Sequence, residues 1–139
     1  MISEKYKQDR DIPDSVWNRF MQQTFGNDYV VFRSKDKVWN LKCHKTQRKD
    51  YQMWIRPYSL VNQELHLITE ITSMEGIEQG LVRQDTAILR KLKQSGVDYE
   101  ITQRGSDGMC VKFPISQLSL VDKAISLKRR QTNYRDTKN

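Results

Sequence analysis

Cysteine is scarce in this 139-residue chain, which carries only Cys43 and Cys110. No positively charged and then apolar leader pattern opens it, so a disulfide framework of the secreted kind is not expected, and the two cysteines read as free, partly buried thiols. Histidine is equally rare. His44 and His66 stand in no H-x-H or H-E-x-x-H pattern and no C-x-x-C occurs, so no zinc site is written at motif spacing. The G-x-S-x-G elbow, the G-x-x-x-x-G-K-[ST] loop and the G-x-G-x-x-G turn are all missing, which sets aside the common hydrolase, nucleotide-hydrolysing and dinucleotide-binding readings. No apolar run approaches the ~18–20 residues needed to span a bilayer. The expectation is a soluble, cytoplasmic protein in a reducing compartment, without membrane contact, cofactor, metal or catalytic residues.

Charge is present in excess and unevenly placed, with 24 Lys and Arg against 17 Asp and Glu. Between Arg33 and Arg56 stand eight basic residues (Arg33, Lys35, Lys37, Lys42, Lys45, Arg48, Lys49, Arg56) and only Asp36 and Asp50 oppose them. A second basic group, beginning with Lys128, Arg129 and Arg130, closes the chain, while Leu60 to Glu100 has an acidic excess. Clustered positive charge is the electrostatic footprint of a polyanion partner.

The apolar pattern predicts an α+β domain over residues 12–130, with a mobile polar arm at 1–11 and a basic polar tail at 131–139. Asp14 caps a first helix whose Val16, Trp17, Phe20, Met21 and Phe25 recur at helical spacing until Gly26. Three strands follow at Tyr29–Arg33, Val38–His44 and Tyr51–Arg56, joined as an antiparallel meander. Leu65, Leu67, Thr69 and Ile71 alternate as a fourth strand. A helix runs from about Leu81 or Asp85 to Gln94, and a later hairpin turns at Gly105-Ser106-Asp107-Gly108. Ser116 caps a last helix facing the core with Leu120, Val121, Ala124 and Ile125. The expected fold is therefore an antiparallel sheet, a three- to four-stranded meander plus the hairpin, with about three helices packed on one face.

Strand alternation sorts the meander into two faces. Val30, Phe32, Trp39, Leu41, Cys43, Tyr51, Met53 and Ile55 form the core set. The opposite set is Tyr29, Val31, Arg33, Asn40, Lys42, His44, Gln52, Trp54 and Arg56. Aromatic rings beside cations combine base-stacking surface with phosphate-pairing charge, the pattern of sequence-tolerant nucleic-acid binding. The candidate site is accordingly Tyr29, Arg33, Lys42, His44, Trp54 and Arg56, the connection residues Lys45, Arg48 and Lys49, and the terminal Lys128, Arg129 and Arg130.

The expected partner is nucleic acid, DNA or RNA, single-stranded or deformed. No helix-turn-helix supports major-groove reading. The alternative is a small protein-interaction module or inhibitor that docks on a nucleic-acid-handling partner, with Trp and Tyr as anchors. Among catalytic arrangements, Cys43 and His44 are strand neighbours that point to opposite faces, and Asp98 with Glu100 lacks a nuclease lysine. A metal-independent ribonuclease built from His44, Lys42, Arg56 and Tyr51 is the one enzymatic arrangement left open.

Overall fold

In a computed structural model of the chain, residues 2–35, 39–43 and 49–130 are described. Among them, six strands form one antiparallel sheet: β1 (Val31–Arg33), β2 (Trp39–Lys42), β3 (Tyr51–Ser59), β4 (Glu64–Ile71), β5 (Glu100–Gly105) and β6 (Gly108–Pro114). Their spatial order is β1-β2-β3-β4-β6-β5. The α-helices are α1 (Ile2–Lys5), α2 (Asp14–Phe25), α3 (Met74–Glu78), α4 (Arg83–Gln94) and α5 (Leu118–Ile125). The expected α+β class is what the chain adopts. The meander and the later hairpin join as one sheet because β6 pairs along the whole of β4.

Cross-strand register explains the core. Val31, Leu41, Ile55, Leu67, Val111 and Ile101 follow one another across the sheet on one face. The middle four of this row are 0% exposed. Met21 and Phe25 of α2, Ile88, Leu89 and Leu92 of α4, and Leu118, Val121 and Ile125 of α5 belong to the same apolar cluster, so these three helices cover that face. Each fully buried aliphatic side chain contributes about 1.5–3 kcal/mol, and the row therefore holds the layers together.

One polar residue lies within the α4 stripe. Asp85 is 0% exposed, and the Tyr51 and Thr69 hydroxyls each donate to its Oδ1 at 2.7 Å. Thr69 Oγ1 in turn accepts from the Met109 amide at 3.0 Å, so the carboxylate pins the start of α4 to β3, β4 and β6. Burial, then the hydrogen bond and charge of Asp85, push the Tyr51 phenol well above its ordinary value. The turn between β5 and β6 has two central residues, Ser106 and Asp107. Gly108 follows at φ +146°, and a Cβ there would collide with the Thr69 carbonyl oxygen, so this position accepts only glycine.

Several local expectations need correction. Strand β1 has the opposite phase: Val31 pairs with Leu41 on the helix-covered face, while Phe32 lies on the other side and is 38% exposed. Strand β3 does not end before Pro57 but runs through it to Ser59. Among the described residues, strand β2 pairs with β3 only at Leu41 and Lys42, and the register shifts between Pro57 and Ser59, so the missing N–H falls at an irregular stretch where proline is tolerated. Helix α3 was not anticipated. The Ser73 hydroxyl accepts from the Gly76 amide at 3.0 Å and supplies the cap that starts it.

Asp14 is the first residue of α2 rather than its cap, and Ser116 falls in a 3-10 turn (Ile115–Gln117) before α5. Lys128–Arg130 do not continue the last helix. After Ser126, at φ +60°, the chain becomes extended and bridges Cys43 at Leu127 and Tyr29 at Arg129. In the segment expected as an arm, Asp9 accepts hydrogen bonds from the Leu60 and Val61 amides at 2.7 and 3.0 Å.

Candidate nucleic-acid interface

Helices α2, α4 and α5 lie on one side of the sheet, and the candidate residues of β3 lie on the other. Alternation along β3 places Gln52, Trp54, Arg56 and Tyr58 on that outer face. Register sets their neighbours. Trp54 stands between Lys42 on β2 and Ile68 on β4, while Arg56 faces His66, which faces Lys112, which faces Glu100. The Tyr58 ring is 4.7 Å from that of His66, edge to face, with the Lys112 ammonium 5.3 Å from its centroid. It nonetheless remains 45% exposed.

His66 is held in one tautomer. Its Nε2 lies 2.7 Å from Thr102 Oγ1, and the threonine hydroxyl donates to the Cys110 carbonyl at 3.1 Å. With that proton committed, Nε2–H of the imidazole is the donor and Nδ1 keeps a lone pair. Burial first, then the charges of Arg56 and Lys112, lower the His66 pKa to about 4, so the ring is neutral near pH 7. Lys112 bridges Glu64 at 3.3 Å and Glu100 at 3.1 Å. Burial also raises the Cys110 thiol, with Arg56 opposing.

The outer face is polarised. Lys42 and Arg56 occupy the β2–β3 half, and among the described residues neither has a carboxylate at ion-pair distance. Glu64, Glu70 and Glu100 occupy the β4–β6–β5 half, where Lys112 is shared between two of them.

Of the residues singled out from the sequence, Lys42, Trp54 and Arg56 are brought together. Lys49 is exposed just before β3. His44, Lys45 and Arg48 lie outside the described residues. Tyr29 is not on the outer face but buried, its hydroxyl directed at Asp122 at 3.4 Å, with burial and Asp122 raising its pKa. Arg33 shares the helix-covered face with Trp39, its guanidinium 5.4 Å from that ring and 3.6 Å from Asp14. Arg129 is committed to Asp122 at 2.6 Å and Arg130 to the Gly26 carbonyl at 2.8 Å, whereas Lys128 is exposed. Tyr51 points into the core, away from Lys42 and Arg56, which separates the members of the ribonuclease arrangement.

Phe32, Tyr58, His66 and Lys112 belong to the outer face and were missed. Continuing the β3 alternation two residues past Arg56 would have found Tyr58. The three residues of β1 carry too little pattern to place Phe32.

Among the described residues, no group of three or more His, Cys, Asp or Glu is arranged to hold a metal ion, and no helix is long and apolar enough to cross a membrane. Compared with protein-family models, with curated proteins and with solved structures, the chain matches none.

Proposed function

We propose that this protein binds single-stranded nucleic acid on the basic half of its outer sheet face. The observation that carries the reading is the row Trp54, Arg56, Tyr58 along one face of β3, with Lys42 beside Trp54 and no carboxylate on Arg56 among the described residues. A ring lying on a sheet can meet the face of an unstacked base but not one inside a duplex. Helices α2, α4 and α5 pack on the far side, so the recognition surface is the sheet itself and not a helix suited to the major groove.

The test is binding of labelled single- and double-stranded DNA and RNA across a salt series. With Lys42, Arg56 and the exposed Lys49 engaged, about two to three phosphates are neutralised, and the single-strand log-log slope should be about −1.4 to −2 at ~0.7 per phosphate. Single strands should bind tighter than duplexes of equal length. Absence of binding at low salt, or a slope near zero, would remove nucleic acid as the partner.

A further inference from the structure

The row on β3 also has a length. An amino-acid residue contributes three backbone bonds and a nucleotide six, so one extended nucleotide advances about as far as two strand residues at ~3.3 Å each. Trp54, Arg56 and Tyr58 are spaced two residues apart on one face, and they therefore match three successive nucleotides: ring, cation, ring.

Both ends of that row meet negative charge. Glu70 is the β4 partner of Gln52, two residues beyond Trp54, and Glu64 is the partner of Ser59, one residue beyond Tyr58. Glu70 is exposed. Glu64 shares the Lys112 ammonium with Glu100, so two carboxylates face one cation and a negative charge is left over. A phosphate continuing along β3 in either direction would approach a carboxylate, an unfavourable like-charge contact.

We infer that the site takes a segment of about three nucleotides, extended along β3, with its outer bases on Trp54 and Tyr58, a phosphate flanking the central nucleoside on Arg56, and its two ends set by Glu70 and Glu64. This rests on the nucleic-acid reading above and adds to it a path, a length and a division of labour among positions. The central base has no ring beneath it, so the site discriminates by position and not by base identity there.

The probe is trithymidylate, compared with the same trinucleotide lacking its central base and lacking either terminal base, in low salt by calorimetry or amide-shift titration. Loss of a terminal base should weaken binding roughly five- to hundredfold, as expected for one base–aromatic stack, whereas loss of the central base should leave affinity nearly unchanged. Tyr58→Ala should abolish the penalty for one terminal base and leave that for the other. In a length series of oligothymidylates from two to ten nucleotides, the gain per added nucleotide should drop after the third. Glu64→Gln combined with Glu70→Gln should restore that gain.

Unaltered far-ultraviolet dichroism and urea midpoints would show that these surface variants fold. Equal losses for central and terminal bases, a gain per nucleotide that continues undiminished past the fourth, or a double Gln variant with the parent's length profile would each overturn the three-nucleotide path while nucleic-acid binding stood. No binding to any of the probes would overturn both.

Discussion

Moving the solution from pH 7.5 to pH 5 should cost this protein stability through His66. The folded imidazole has its pKa lowered to about 4, from the ordinary 6.5, by burial and by the neighbouring Arg56 and Lys112. As pH falls, the unfolded chain therefore takes up the proton first. Stability is complete above about pH 6.5 and declines between 6.5 and 4. At ~1.36 kcal/mol per pKa unit, the full separation corresponds to about 3 kcal/mol, of which about 2 would be lost by pH 5. Water reaching the outer face around the exposed Tyr58 screens the two cations, which lowers the expected loss to about 1–2 kcal/mol. Urea midpoints of the parent and of His66→Gln across this range isolate the effect, because glutamine can still donate to Thr102 and does not titrate. The parent should lose about 1–2 kcal/mol more than the variant, and the imidazole proton resonance of the folded protein should titrate near pH 4. Identical pH dependence in both proteins, or a folded titration at pH 6 or above, would refute the placement of His66 between two cations under Tyr58.

Tyr51→Phe removes one of the two hydroxyl donors to buried Asp85 and should lower stability by about 1–3 kcal/mol, with an unchanged urea midpoint ruling out the pin between α4 and the sheet. Gly108→Ala meets both a positive φ and the Thr69 carbonyl, so a loss of roughly 2–4 kcal/mol is expected, and a loss under ~0.5 would mean that β4 and β6 are not so close there. Trp54→Ala should weaken single-strand binding by ~1–3 kcal/mol at every salt concentration with the same slope, because a ring releases no counterion. Arg56→Gln should flatten the slope by ~0.7, and the reverse pattern in a salt titration would exchange the roles assigned to the two residues.

Long alternating segments were legible in the sequence and short ones were not. Leu41, Ile55, Leu67 and Val111 stand in strands where at least one neighbour two residues away repeats the apolar choice, and their inward placement follows from alternation. The three residues Val31, Phe32 and Arg33 offer apolar side chains at adjacent positions, so either phase is locally acceptable, and only pairing with Leu41 and Trp39 decides it. That decision sends Arg33 to Asp14 and Trp39, away from the site. Pro57 misled because proline is disfavoured inside a sheet, and the irregularity that accommodates it arises from pairing with β4, which local sequence does not display. For the candidate site, the central cluster Lys42, Trp54 and Arg56 was readable because it depends on two strands in consistent phase. The intramolecular partners of Arg129 and Arg130 were not legible, because a basic cluster says nothing of its partners. Their carboxylate and carbonyl partners, Asp122 and Gly26, are supplied by the turn at Ser126 and the extended return of the chain.

If the outer face binds as proposed, the opposed faces let stability and recognition be altered separately, and the two edges of the sheet give recognition a direction. Strand β5 forms one edge with all six residues exposed, and its register shifts between Ile101 and Gln103, a distortion that turns an edge away from pairing with another strand. Glu100 at that edge, with Glu64 and Glu70 further in, makes this half repel a polyanion. At the other edge, β1 and β2 lead into the basic stretch, with Lys42 and Lys49 exposed. On the proposed reading, a single strand approaching the outer face would be drawn to the β2–β3 half by charge before any ring contact forms. The rings would then retain it. Because no described core residue on the helix side touches solvent at Leu41, Ile55, Leu67 or Val111, changing the cations alters capture without loosening the layers beneath. Where the outer face is itself buried beneath the rings, at His66 and Ile68, the two properties meet. A substitution there changes the support of Tyr58 and Trp54 as well as the fold, so affinity and stability should fall together at those positions and apart at Lys42, Trp54 and Arg56.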